Sequence, residues 1–89
     1  MAVDVSRQNV GYDIESTTPS GDKRYIEVKL INNGTASFTI TNNEYTAAHQ
    51  YGEKYVICLI RQDEREAKVL YIKNPLERLS FEKRVVSPR

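Results

Sequence analysis

Asp13, Glu27 and Lys29 are the residues of this sequence whose types and spacing could support hydrolytic chemistry. Asp13 lies in the segment GYDIEST (11–17), and the other two lie in RYIEVKLI (24–31), after a short polar loop. Side chains alternate between the two faces of a strand, so Glu27 and Lys29 point to the same side. Two carboxylates beside an ammonium group, on neighbouring strands, are typical of a metal-dependent nuclease centre.

The loop between these two segments decides whether the carboxylates meet. Residues 18–22 read TPSGD, a composition typical of a turn that joins two antiparallel strands. The register that this turn favours places Asp13 opposite Glu27 and Glu15 opposite Tyr25. Directly opposed carboxylates repel each other, and a bound divalent cation would remove that repulsion. A slip of one residue would turn one strand's carboxylates to the other face, so the prediction depends on the register.

Length and composition indicate one small domain. The chain has 89 residues, of which 39% are hydrophobic and 28% charged, and its net charge of +1 gives no overall basic field. Its single cysteine, Cys58, excludes a disulfide framework or a cysteine-based zinc site within one chain. The N-terminal segment lacks the features of a secretion signal, and no apolar stretch is long enough to span a membrane. We therefore expect a cytoplasmic protein.

The order of the elements predicts an α/β fold with a mixed sheet of four to five strands and one main crossover helix. Thr41 and Glu44 have the spacing of a capping box, which predicts a helix from Asn42 that Gly52 ends. The nearly continuous apolar run 54–60 is typical of a central strand. The remaining predicted elements are a short strand at Ala2, Val3 and Val5, a strand at 68–73, a short helix at 75–79 and a strand or extended tail at 81–86.

One helix cannot cover both faces of such a sheet. Alternation along the second strand of the hairpin predicts that Ile26, Val28 and Leu30 point into the core, with Glu27 and Lys29 on the surface. The uncovered face would then expose apolar side chains. The chain by itself looks incomplete, and a homodimer formed through the uncovered face or an unpaired edge is one way to cover that surface.

Five segments of the chain carry a resemblance to a known family. GYDIES, RYIEVK, SFTITNNEY, GEKYV and YIKNP strongly resemble the C-terminal domain family of the protein NO VEIN, over nearly the whole length. That family is similar to the PD-(D/E)XK nuclease superfamily, which includes the Mrr-like restriction enzymes. The resemblance implies a restriction-endonuclease-like core in which Asp13 and the triplet from Glu27 to Lys29 are catalytic. Two departures are Leu30, where the family tends to carry Gly, and a missing first helix.

The resemblance also implies a cofactor and a substrate. Mg²⁺ or Mn²⁺ would be held by Asp13, Glu27 and the carbonyl oxygen of Val28, while Lys29 would position the attacking water or neutralise developing charge. Three further residues have possible supporting roles, namely Glu15, Tyr25 and Asn43. The substrate would be DNA, and residues 1–89 would form one partial domain of a larger defence or DNA-processing protein.

Less specific interpretations stay open beside this one. Glu27 and Lys29 could form only a solvated charged surface, and Glu44 could serve only as a helix cap. The nuclease-like fold could also persist without catalysis, as a module for protein or nucleic-acid interaction and self-association. The only histidine, His49, is given no role.

Overall fold

The computed structural model describes residues 1–32 and 37–82. The described part is an α/β fold with a five-stranded mixed sheet and one main helix, as predicted. The predicted strand or extended tail at 81–86 lies mostly outside the described residues, and its first two residues have no regular secondary structure. The elements are β1 (Ala2–Asp4), β2 (Ile14–Thr17), β3 (Lys23–Asn32), α1 (Asn42–Tyr51), β4 (Tyr55–Gln62), β5 (Ala67–Lys73) and α2 (Pro75–Arg78), with 3₁₀ turns at Ser6–Gln8 and Gly52–Lys54.

The strands lie side by side in the order in which they occur along the chain. β3 and β4 are parallel, and the other neighbouring pairs are antiparallel. The hairpin register is the predicted one, since Glu15 pairs with Tyr25. The pairing of β2 with β3 starts at Ile14 and Ile26, so Asp13 lies directly before the first pair.

Helix α1 begins and ends at the residues that the sequence predicts. The Thr41 hydroxyl accepts a hydrogen bond from the Glu44 backbone N–H at 3.2 Å, and Glu44 Oε1 accepts one from the Thr41 backbone N–H at 3.0 Å. This reciprocal pair is a capping box, which satisfies donors that the first turn of a helix leaves free. Gly52 follows the helix with a positive φ of 54°.

The helix packs on the face of the sheet that carries Glu27, which makes the predicted orientation of β3 wrong. The buried cluster between helix and sheet joins Ala47 and Ala48 from α1 to Tyr55 and Ile57 from β4. Because Ile57 pairs with Glu27 in the parallel register, the two side chains share a face. Alternation groups the side chains of β3 correctly, but it does not determine which group the helix covers.

Aromatic packing stabilises α1 on this face of the sheet. The ring of Tyr25 stacks on that of Tyr51 with centroids 3.7 Å apart, and Tyr12 makes edge contacts with both rings. These three tyrosines join β3 to the end of α1 and to the segment before β2. This cluster stabilises α1 on the face that carries Glu27, because aromatic side chains bury large areas and gain energy from edge and stacked arrangements.

The opposite face of the sheet exposes apolar side chains, as expected for a sheet with one main helix. Leu30 is 73% exposed and lies in one row with Ile60 and Val69, and Tyr71 lies in the next row. In the described ranges, no helix has the length and apolar character needed to cross a membrane.

Candidate functional site

The ammonium group of Lys29 lies at the centre of the candidate site. Its Nζ is 2.6 Å from Glu44 Oε1 and 3.6 Å from Glu27 Oε2. Lys29 and Glu27 come from β3, and Glu44 comes from the first turn of α1. The three groups meet because α1 starts near the carboxyl end of β3, where Lys29 lies. The structure therefore confirms that Glu27 and Lys29 share a face and adds a second carboxylate to it.

Glu44 has two functions in this arrangement, and sequence reasoning found only one of them. The same oxygen, Oε1, accepts hydrogen bonds from the Thr41 backbone N–H and from Lys29 Nζ. The capping box fixes the direction of this carboxylate toward the helix start. In a parallel crossover, the helix that follows a strand starts at the carboxyl end of that strand. The sequence could therefore have indicated that Glu44, in the capping box, lies near Lys29.

Glu27 is a buried carboxyl group, with 5% of its surface exposed. Burial, followed by the charges of Glu44 and Asp13, raises the pKa of Glu27 to about 8, although Lys29 acts in the opposite direction. Burial thus favours the neutral form of this carboxyl, while the Lys29 ammonium, 3.6 Å from its Oε2, favours the charged form. The interpretation of Glu27 and Lys29 as a solvated charged surface is wrong, because this surface lies under α1.

The charge in the cluster resides on the pair of Lys29 and Glu44. Burial alone would raise the pKa of Glu44, but the hydrogen bonds from Lys29 and from the Thr41 backbone hold that pKa below its usual value. The neighbouring carboxyls of Glu27 and Glu44 interact directly, which raises the pKa of Glu27 and lowers the pKa of Glu44. In this cluster, negative charge is therefore favoured on Glu44 over Glu27.

The Asp13 side chain binds to β3 directly, because its carboxylate accepts a hydrogen bond from a backbone N–H of that strand. Its Oδ2 accepts a hydrogen bond from the Val28 backbone N–H at 2.9 Å, and its own N–H donates to the Ile26 carbonyl at 2.8 Å. The side chain is thereby held against β3 next to Glu27, whose pKa its charge helps to raise. Asp13 thus contacts the strand that carries Glu27 and Lys29, and joint binding of an ion by the Asp13 and Glu27 carboxyls stays a prediction.

Gly11 allows the turn before β2 to pack closely against the helix. Its φ is +89°, and a Cβ there would collide with the backbone oxygen of Asn43 and lie 2.8 Å from the Ala47 Cβ. The Gly11 carbonyl also accepts a hydrogen bond from the buried Tyr55 hydroxyl at 2.7 Å. The turn before β2 is thus fixed to both α1 and β4 at Gly11, two residues before Asp13.

The three residues with predicted supporting roles lie in different environments. Glu15 accepts a hydrogen bond from Lys23 Nζ at 2.9 Å, on the helix-covered face of β2. Tyr25 is half-buried and stacked on Tyr51. Asn43 is exposed at the second residue of α1. Their supporting roles stay predictions.

The sequence also matches a family model over most of its length. The model described as the C-terminal part of protein NO VEIN matches residues 1–72. The chain belongs to the NO VEIN C-terminal family. No curated protein and no solved structure matches it. The region matched by the NO VEIN C-terminal family contains the whole candidate site, from Asp13 to Glu44.

The oxygen atoms of the candidate site in this NO VEIN C-terminal domain are of the type that hard cations bind. Asp13 and Glu27 provide carboxylate oxygens, the ligands that Mg²⁺ prefers. Over residues 1–32 and 37–82, no three His, Cys, Asp or Glu side chains are placed to hold a metal ion. A cation would therefore rely on few protein ligands, as is usual for Mg²⁺, which keeps several of its waters. The metal site at Asp13, Glu27 and Val28 stays a prediction.

Proposed function

We propose that this chain is a nuclease-like domain of the PD-(D/E)XK type, with a restriction-endonuclease-like core, that hydrolyses phosphodiester bonds in DNA with Mg²⁺ or Mn²⁺. The observation that carries the proposal is the burial of Glu27 beside Lys29, with Asp13 held at the same strand by the Val28 amide. Buried ionisable groups of this kind reduce stability relative to apolar residues of similar size. Carboxyls with strongly shifted pKa values cluster at functional sites.

The residues of the cluster suit this reaction. Asp13, Glu27 and the Val28 carbonyl would hold the cation, whose chemistry is to neutralise phosphate charge and lower the pKa of a bound water. Lys29 supplies a compact positive charge that can position water or stabilise negative charge as it develops. Glu44 Oε1, 2.6 Å from Lys29 Nζ, holds the ammonium group in place beside Glu27.

The supporting residues and the setting form part of the same proposal. Asn43 lies where the backbone N–H groups of α1 attract anions such as a phosphate of DNA. Glu15 and Tyr25 border the cluster along β2 and β3. We place the domain in a larger cytoplasmic protein of defence or DNA processing, because its open apolar sheet face suits contact with further protein.

A second function is favoured by two observations. The Lys29 ammonium is already paired with Glu44 at 2.6 Å, and the described residues contain no cluster of three metal-ligating side chains. A nuclease fold that has lost catalysis, and serves as a module for protein or nucleic-acid interaction, would have these properties. The two functions differ in whether divalent cations bind and in whether DNA is cut.

DNA cleavage with a matched pair of variants tests the proposal. The wild-type chain is incubated with supercoiled and linear DNA in Mg²⁺ or Mn²⁺, beside Glu27→Gln and Glu53→Gln. We expect Glu27→Gln to lower the cleavage rate by about 10²-fold or more, because an amide cannot become the carboxylate ligand that the cation would bind. Glu53→Gln, an exposed residue in a 3₁₀ turn, should cut at the wild-type rate.

Metal binding provides a readout that does not depend on cleavage. Addition of Mn²⁺ should broaden the NMR signal of the Val28 amide, which donates to Asp13, far more than that of the Asp63 amide in the β4–β5 turn. Cleavage that Glu27→Gln leaves unchanged would contradict the proposed site. A chain that neither binds Mn²⁺ near Val28 nor cuts DNA is the non-catalytic module.

A further inference from the structure

The outer edge of β5 is an unprotected strand edge. β5 is the last strand of the sheet, and no other described strand pairs with its outer side. Its three central residues, Val69, Leu70 and Tyr71, are 51%, 58% and 66% exposed. Exposed edges are normally interrupted by charges, prolines or bulges, because their free backbone groups can pair with another chain. In β5 the only charges are Lys68 and Lys73, near its two ends.

The other edge of the sheet is protected in the usual way. β1 has three residues, from Ala2 to Asp4, and ends in a charged side chain. Very short edge strands offer too few backbone groups for stable pairing. β5, with seven residues and four consecutive apolar side chains at 69–72, differs from β1 in both length and composition.

We propose that two copies of this chain pair through the outer edges of β5 to form an antiparallel, two-fold symmetric dimer. The N–H and C=O groups along a strand edge can all be hydrogen-bonded only by another extended strand. A helix therefore cannot pair with the outer edge of β5. A second copy supplies a strand of the same length and apolar character. This inference is independent of the proposed nuclease function.

Symmetry restricts the register of this pair. The two-fold axis that relates adjacent antiparallel strands is perpendicular to the sheet, so each face of one copy continues into the same face of the other. Opposed residues therefore come from the same face, and the axis passes midway between one residue and the same residue of the partner. Centring on Val69 or Tyr71 would pair only five residues of β5, whereas centring on Leu70 pairs all seven, Ala67–Lys73.

The side chains are complementary in the register centred on Leu70. Leu70 faces the partner's Leu70 on the helix-covered side, and Val69 faces the partner's Tyr71 on the open side. Lys68 lies opposite the partner's Ile72, and Lys73 opposite the partner's Ala67, so no like charges are directly opposed. The pairing would join the two five-stranded sheets into one sheet of ten strands.

A charge-swap experiment at Leu70 tests both the edge and the register. Sedimentation analysis of the full 89-residue chain should give twice the 10.2 kDa mass, with concentration-dependent dissociation. Leu70→Lys and Leu70→Glu should each be monomeric, because each places two like charges face to face at the axis. An equimolar mixture of the two variants should give a heterodimer by native mass spectrometry. Circular dichroism checks that each variant is folded.

Leu30→Lys is the matched control, because Leu30 is 73% exposed on β3, away from the edge. This variant should dimerise like the wild type. A wild-type chain that stays monomeric up to about 1 mM overturns the proposal. It is equally overturned if Leu30→Lys, rather than the Leu70 variants, abolishes the dimer, since the copies would then meet through the open face. Failure of the Leu70 mixture to pair rejects the register centred on Leu70.

Discussion

The Lys29 ammonium has two carboxyl neighbours, whose pKa values shift in opposite directions. Glu44 accepts hydrogen bonds from the ammonium and from the helix cap, which favour its ionised form. Glu27 is buried under α1, which favours its protonated form. Two chemically similar carboxyls are thus separated in pKa by their surroundings, as in sites where one group carries a proton and the other carries charge.

Because folding raises the pKa of Glu27 from 4.5 to about 8, this residue should make stability depend on pH. The folded chain binds a proton that the unfolded chain releases above pH 4.5, so this contribution is fully present below that pH. It is lost as the pH rises to about 8, at no more than about 1.4 kcal/mol per pH unit. Urea unfolding at several pH values should show this decline for the wild type.

Glu27→Gln provides the comparison for this pH dependence. It cannot titrate, so its free energy of unfolding should change less over the same range and should exceed that of the wild type at pH 8. Glu53→Gln should follow the wild-type curve. Parallel curves for the wild type and Glu27→Gln between pH 4.5 and 8 would show that Glu27 is ionised in the folded chain.

The residues of the site were only partly predictable from the sequence. Asp13, Glu27 and Lys29 followed from strand alternation and from turn chemistry that set the hairpin register. The contact between Lys29 and Glu44 was missed because the capping box is by itself a sufficient reason for a glutamate at position 44. The burial of Glu27 was missed because it depends on which face the helix covers, a property of packing and not of the strand.

At the scale of elements, the turn before β2 positions Asp13 by its contacts with α1 and β4. Gly11 lies in close contact with the helix, and its carbonyl is bonded to a hydroxyl from the central strand β4. The boundaries of α1 and the pairing of β2 with β3 were predictable because caps and turns are local. The approach of Gly11 to the helix was not, since it joins residues far apart in sequence.

Gly11→Ala should destabilise the chain more than the same change at Gly21. Both glycines have a positive φ, of 89° and 92°, so each substitution should lower the free energy of unfolding by about 1–2 kcal/mol through backbone strain. At Gly11 the new Cβ also meets the Asn43 backbone and Ala47, and overpacking of this kind adds about 1–3 kcal/mol. At Gly21 nothing lies within 4 Å.

Chemical denaturation of the two alanine variants measures this difference directly. Equal losses of stability at Gly11 and Gly21 would mean that the turn before β2 is not held against α1. If Gly11→Ala is the less stable variant and also loses Mn²⁺-induced broadening of the Val28 amide, the turn is also needed to place Asp13.

At the scale of the whole molecule, the sheet has one face covered by α1 and one face that exposes Leu30, Val69 and Tyr71. The sequence predicted this imbalance, because one helix of ten residues is too small for both faces of a five-stranded sheet. It did not identify β5 as the edge most open to pairing. Edge order depends on the parallel placement of β4 beside β3, which brings β5 to the outside.

If copies of the chain pair through β5, stability and association are linked. The midpoint of thermal unfolding should rise with protein concentration, because mass action favours the dimer over unfolded monomers. Each tenfold increase in concentration should add about 1.4 kcal/mol per mole of dimer at concentrations where the dimer dominates. Leu70→Lys should unfold at one midpoint over the same range, whereas Leu30→Lys should keep the wild-type dependence. A wild-type midpoint that does not change with concentration would mean that the folded monomer is stable with the β5 edge open.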